Sequence, residues 1–171
     1  MNLLISTRDL EFGVGNVIKN DLKNFDKNKS INQIILVGPN KLEGYSNNIK
    51  FEIIKNIGRL FITKEPNFAF KCNLKIKDIL KNKKIDKIIT HYPFFANKYK
   101  SILIYRAHGL HKSIIKNHPI KPQLLISAFF HYLYSYFDYR TIKYSDEVHF
   151  VSRGTMEEAK TFYPQFAHKF K

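Results

Sequence analysis

Acidic residues are scarce in this sequence: 14 aspartates and glutamates stand against 29 lysines and arginines, leaving a net charge of +15. Such a field favours phosphorylated ligands, anionic lipid or nucleic acid over distances comparable to the Debye length. Lysine, isoleucine and asparagine are abundant together, as in A/T-biased coding, so solvated helix faces also account for part of the excess. Cysteine is nearly absent. Cys72 stands alone and cannot close an internal disulfide, and a reducing cytoplasm is the expected compartment. The N-terminus enters an apolar run at once, with no basic region and no small-residue cleavage site, which argues against a signal peptide. The longest strongly apolar stretch, Leu124 to Leu133, is interrupted by His131 and runs on into Asp138 and Arg140. It is too short and too polar at its end to span a bilayer.

Several catalytic signatures are missing as well. Gly13 and Gly15 form neither a full dinucleotide fingerprint nor a Walker loop, since the third glycine and the Lys-Ser/Thr pair are absent. No Gly-x-Ser-x-Gly nucleophile turn occurs. His111 follows His108 by three residues, but no cysteine or carboxylate lies nearby at ligand spacing, so no metal site is expected. Val37 leads into Gly38-Pro39-Asn40, so a dinucleotide ribose finds no acidic partner there.

What is present reads as one α/β domain over residues 1–171, a length sufficient for one hydrophobic core. Asn2 to Ser6 is a short apolar run, a glycine loop follows, and Val17, Ile18, Leu22 and Phe25 have helical spacing over Asn16 to Phe25. Strands are predicted at Ile31–Val37, Lys50–Ile54, Asp86–His91, Ser101–Tyr105 and Glu147–Val151. Amphipathic helices are predicted at Phe70–Lys81, after Pro66, and at Gly154–Phe162, capped by Ser152 and stopping before Pro164. A further helix over Gln123–Tyr139 has apolar residues on more than one face, so it is either sandwiched or turned outward to a membrane surface or partner. Alternating strands and helices predict a Rossmann-like, doubly wound, mostly parallel sheet with helices on both faces.

The chemistry gathers at strand ends. Ile104-Tyr105-Arg106-Ala107-His108-Gly109 is an apolar run that ends in a basic residue, an imidazole and a glycine. Phe12-Gly13-Val14-Gly15, Thr90-His91-Tyr92-Pro93 and His149-Phe150-Val151-Ser152 follow other apolar runs, and polar residues at successive strand ends line the ligand crevice of an open parallel sheet. Glycines let backbone amides approach a phosphate or a sugar hydroxyl, although a tight turn explains them equally well. A strand-end imidazole at His108 or His91 suits hydrogen bonding to a hydroxyl or proton transfer, and it also suits a purely structural role.

Phe12 to Val17, Asp86 to Pro93, Tyr105 to Gly109 and especially Tyr144 to Thr155 together resemble the N-terminal domain of family 4 glycosyltransferases, retaining enzymes of the two-domain GT-B fold. Order and approximate spacing agree across nearly the whole chain, and Tyr163-Pro164 falls where that family ends a helix. The resemblance implies that Gly13 and Gly15 face acceptor and donor phosphates, that His108 is the catalytic-cleft histidine beside the transferred sugar, and that His91, Arg106 and Ser152 bind substrate at neighbouring strand ends. The family commonly has two glycines in a row in the first loop, where this chain has Phe12 before Gly13. The family holds its nucleotide-sugar mainly through a second domain with paired glutamates, and Lys171 falls where the interdomain linker would begin. The expectation is therefore the acceptor-binding half of a retaining glycosyltransferase, inactive alone, cytoplasmic and peripheral at the inner membrane face, with a glycan or lipid-linked acceptor, a nucleotide-sugar donor, and neither cofactor nor metal. Two alternatives stand beside it. One is a non-enzymatic basic module for nucleic acid or a partner protein, using Tyr92, Phe94, Phe95, Lys98, Tyr99 and Lys100; the other is a stand-alone nucleotide binder.

Overall fold

The computed structural model describes residues 1–8, 12–42, 44–45, 48–55, 61–117 and 125–171. Six strands, β1 (Asn2–Ser6), β2 (Gln33–Gly38), β3 (Ile49–Ile53), β4 (Lys87–Thr90), β5 (Ile102–Ala107) and β6 (Glu147–Phe150), form one sheet. Its order is β3-β2-β1-β4-β5-β6 and every pairing is parallel. The helices are α1 (Phe12–Asp26), α2 (Phe61–Asn82), α3 (His111–Asn117), α4 (Leu125–Tyr144) and α5 (Arg153–Phe162), followed by a 3-10 turn at Pro164–Lys169. This is a Rossmann-like α/β fold. The chain winds outward from β1 to β3, then returns through α2 to place β4 on the other side of β1, so the topological switch point lies between β1 and β4.

Strand alternation distributes the core. Leu4, Ile35, Val37, Ile88 and Leu103 turn toward Phe68, Ala69, Cys72, Ile76 and Ile79 of α2, with Phe137 and Tyr144 of α4 packed beside them. Leu3, Ile5, Ile34, Leu36, Ile89 and Ile104 turn the other way, onto Ile18 and Leu22 of α1. Helices thus cover both faces, and each fully buried leucine or isoleucine contributes about 1.5–3 kcal/mol. A third cluster joins Tyr105 and Val148 to Ile142, Ala159 and Tyr163.

The amino-terminal rim is tied by carboxylates. Asp86 and Asp146 directly precede β4 and β6, and their Oδ2 atoms accept the backbone N–H groups of Asn2 and Leu103, each at 2.7 Å. The outer side of β6 is covered by Phe170 and Lys171, with Lys171 donating its N–H to the Val148 carbonyl at 2.9 Å.

The structure moves several boundaries. Helix α1 begins at Phe12 instead of Asn16, so Gly13 and Gly15 lie in its first turn and not in a loop. The opening N–H groups of a helix lack intrahelical acceptors, so the anion-binding chemistry expected of a loop passes to a helix terminus. Helix α2 starts nine residues before the expected Phe70 and carries Pro66 inside it. Proline there removes only the bond to the carbonyl four residues earlier, while the stripe of Phe68, Ala69, Cys72, Ile76 and Ile79 is buried and holds the helix on the sheet. Helix α4 continues to Tyr144, beyond the expected Tyr139. Thr141, in that extension, is buried and its hydroxyl bonds the Phe94 backbone at 2.9 and 3.0 Å. Among the described residues, no helix is long and apolar enough to cross a membrane.

Candidate functional site

Register alone brings the strand ends together: Ser6 of β1 pairs with Thr90 of β4, and Thr90 pairs with Tyr105 of β5. The residues that follow these ends, with the first turn of α1, enclose a cavity of about 260 Å³. Arg8, Val14, His91, Tyr92, His108, His111 and His131 line it, along with Tyr105 and Gly109. Four imidazoles and a guanidinium therefore face one space, and among the described residues no carboxylate lines it. From the first turn of α1, Val14 lines this cavity, while Gly13 and Gly15 on either side of it are not among the described lining residues.

His91 leaves β4 with its backbone N–H on the Ser6 carbonyl at 3.0 Å, and its ring is almost wholly buried. Nδ1 of His91 lies 3.1 Å from Nε2 of His108, and the two rings are nearly parallel, 24° apart. At the other ring nitrogen, Nε2 of His91 has no hydrogen-bond partner among the described residues and lies 3.8 Å from Oδ2 of Asp21 on α1. Burial first, then His108 and Arg106, push the His91 imidazole down to about 3. Burial and Arg106 also lower His108. Both rings are neutral at pH 7, each with one donor and one acceptor. They can hydrogen-bond hydroxyl groups without adding charge.

Arg106 is not among the residues lining the cavity. Alternation places it on the face of Ile104, against α1, where its guanidinium pairs with Asp21. Arg106, expected to bind substrate, is engaged in this ion pair with Asp21. Burial raises the Asp21 carboxyl, and Arg106 opposes that rise. Ser152 is likewise absent from the lining: it is exposed and caps α5, accepting the Thr155 N–H at 3.1 Å.

Further lining comes from His111, held by a residue that no motif singled out. His111 opens α3, and Oδ2 of fully buried Asp138 on α4 meets both its backbone N–H at 2.7 Å and its ring Nδ1 at 3.1 Å. The Tyr105 hydroxyl donates to Oδ1 of Asp138 at 3.4 Å. Burial and the Asp138 charge hold the Tyr105 phenol well above its ordinary range, so it stays a donor. Asp21 and Asp138 each lie in a helical sequence without local motif, and only tertiary packing brings them to the histidines. Among the described residues, no three His, Cys, Asp or Glu side chains converge as a metal-binding group.

The aromatic ladder that suggested base stacking is engaged internally. Phe94 is buried and stacks on Tyr99 at 6.4 Å, the Tyr99 hydroxyl donates to Asn73, and Arg140 sits over Phe95 at 4.3 Å.

No protein-family model and no curated protein sequence matches this chain. Among solved structures it is similar to a mutated uronate dehydrogenase, with 13% identity and a TM-score of 0.31. The similarity covers 87% of this chain and 38% of that one.

Proposed function

We propose that this chain is the acceptor-binding half of a retaining, GT-B type glycosyltransferase, which takes a sugar from a nucleotide-activated donor to a glycan or lipid-linked acceptor. The observation that carries the reading is the cavity at the switch point, where neutral His108 and His91 offer hydrogen bonds to hydroxyls and Arg8 adds positive charge. The helix terminus carrying Gly13 and Gly15 suits the phosphate end of such a ligand. Strand β2 ends in Gly38 and leads to Pro39 and Asn40, so ribose recognition of the dinucleotide type has no acidic residue there. A second domain would hold the donor. Alone, this half would bind acceptor and leave donor intact, because transfer needs both reacting groups held together.

Isothermal titration of the chain with short glycoside and prenyl-phosphate-sugar acceptors tests the reading. Binding that weakens about tenfold (~1.4 kcal/mol) in His108→Ala is the expected result. Equal affinity of parent and variant, or no saccharide binding at all, removes it.

The membrane clause has its own support. Phe129, Tyr132, Leu133 and Tyr136 on α4 are all exposed, at a spacing that puts them in one stripe. Lys112 borders the groove next to Tyr132 and Tyr136, and tyrosines with lysines suit an anionic bilayer surface. Cosedimentation with anionic vesicles, lost in Leu133→Glu and absent with neutral vesicles, is the expected outcome. Failure to bind anionic vesicles at low salt removes the clause.

A further inference from the structure

The described ring contacts fix which nitrogen of His108 carries its proton. Nε2 of His91 is buried and lacks a hydrogen bond among the described residues, and Oδ2 of the Asp21 carboxylate lies 3.8 Å from it. A bare lone pair there would face a negative oxygen in a poorly solvated spot, which costs free energy; an N–H there faces it favourably. Placing the proton on Nε2 leaves Nδ1 of His91 as an acceptor. Among the described residues, the group at that nitrogen is Nε2 of His108, 3.1 Å away, which must then be the donor. His108 thereby keeps a bare Nδ1, and no described residue hydrogen-bonds it. It is the nitrogen left for a ligand in the cavity.

We infer that Asp21 is a positioning residue which acts through His91 to make Nδ1 of His108 an obligate hydrogen-bond acceptor, so the ligand group seated there is a donor. A sugar hydroxyl qualifies, whereas a phosphate or carbonyl oxygen does not. Arg106 completes the relay: by pairing with Asp21 it keeps the carboxylate ionised and turned toward α1, beside the His91 ring. Without Asp21 the bias reverses. Arg106 can then donate to a bare Nε2 of His91, the His91 proton moves to Nδ1, and His108 presents an N–H in place of a lone pair.

The choice of a sugar hydroxyl rests on the glycosyltransferase reading, but the relay is measured without any ligand, so the two fail separately. Histidine-selective nitrogen-15 labelling and a long-range proton–nitrogen correlation spectrum at pH 7.5, where both rings are neutral, report the tautomers of the intact chain. In the parent, Nε2 is expected to be protonated and Nδ1 bare in both rings. In Asp21→Ala the two nitrogen positions of His108 are expected to exchange, and Asp21→Glu to restore them. A parent His108 protonated at Nδ1 overturns the relay, whatever the variants do. Unchanged tautomers in a folded Asp21→Ala protein overturn it too. Folding of each variant is judged by circular dichroism, and should Asp21→Ala not fold, the parent spectrum alone decides.

Discussion

His111 and Asp138 are joined twice, through the backbone N–H and through the ring, both to the same carboxylate oxygen at 2.7 and 3.1 Å. The pair couples the start of α3 to the middle of α4 across 27 residues of chain, and Tyr105 adds β5 to the same carboxylate. One side chain thus holds His111, which lines the same cavity as His91 and His108.

Asp138→Leu is expected to destabilise the fold by about 2–4 kcal/mol, since it strands the Tyr105 hydroxyl and the His111 N–H without acceptors. Asp138→Asn, which keeps one acceptor oxygen, should lose less. Urea unfolding followed by circular dichroism measures both, and a loss below about 1 kcal/mol for leucine would show the network to be dispensable.

Stability should fall on acidification. His91 has a folded value of about 3, below its ordinary 6.5. Between those values the unfolded chain binds the proton and the folded one does not, so stability is lost as pH falls from about 6.5 toward 3. His108, also lowered, acts in the same sense, while Asp21, raised, acts oppositely in the carboxylate range. His91→Phe should flatten the acid branch by up to about 1.4 kcal/mol per pH unit. Denaturant midpoints at pH 7, 6 and 5 give the slope; parallel parent and variant curves would contradict it.

Cys72 is fully buried, and burial pushes its thiol up to about 12. Its reaction with a disulfide reagent at pH 8 should therefore be at least about 100-fold slower in the native protein than in denaturant, since only the exposed thiolate reacts. Comparable rates would mean that α2 opens readily from the sheet.

Ser152→Ala should cost about 1 kcal/mol by removing the cap that accepts the Thr155 N–H. The thermal midpoint reports it, and Ser152→Asp should recover most of the loss. An unchanged midpoint in the alanine variant would show the first turn of α5 to be held by other contacts.

The apolar runs at residues 2–6, 33–38, 87–90, 102–107 and 147–150 mark all but one of the strands with little ambiguity, because each reads as a short buried stretch between turns. Their alternation with helical spacing determined a parallel, doubly wound sheet, and the position of His91 and His108 just beyond strand ends determined that they reach the rim at the carboxyl ends of the strands. The extent of α1, α2 and α4 was not legible. Pro66 reads as the approach to a helix and Tyr139 as the end of one, but Phe68 and Ala69 packed in the core and Thr141 bonded to the Phe94 backbone belong to helices that run past those points.

The sequence by itself determined the layers and which residues stand at the ends of the strands, since hydrophobic period and turn chemistry are local properties of the chain. Tertiary structure alone decided what those residues do. Whether Arg106 faces a ligand or Asp21 depends on which face α1 covers, and whether His111 is loose or fixed depends on a carboxylate 27 residues away. Hydrogen bonds and ion pairs act over a few ångströms of space, and strand pairing and helix docking set those distances between residues that the sequence keeps far apart.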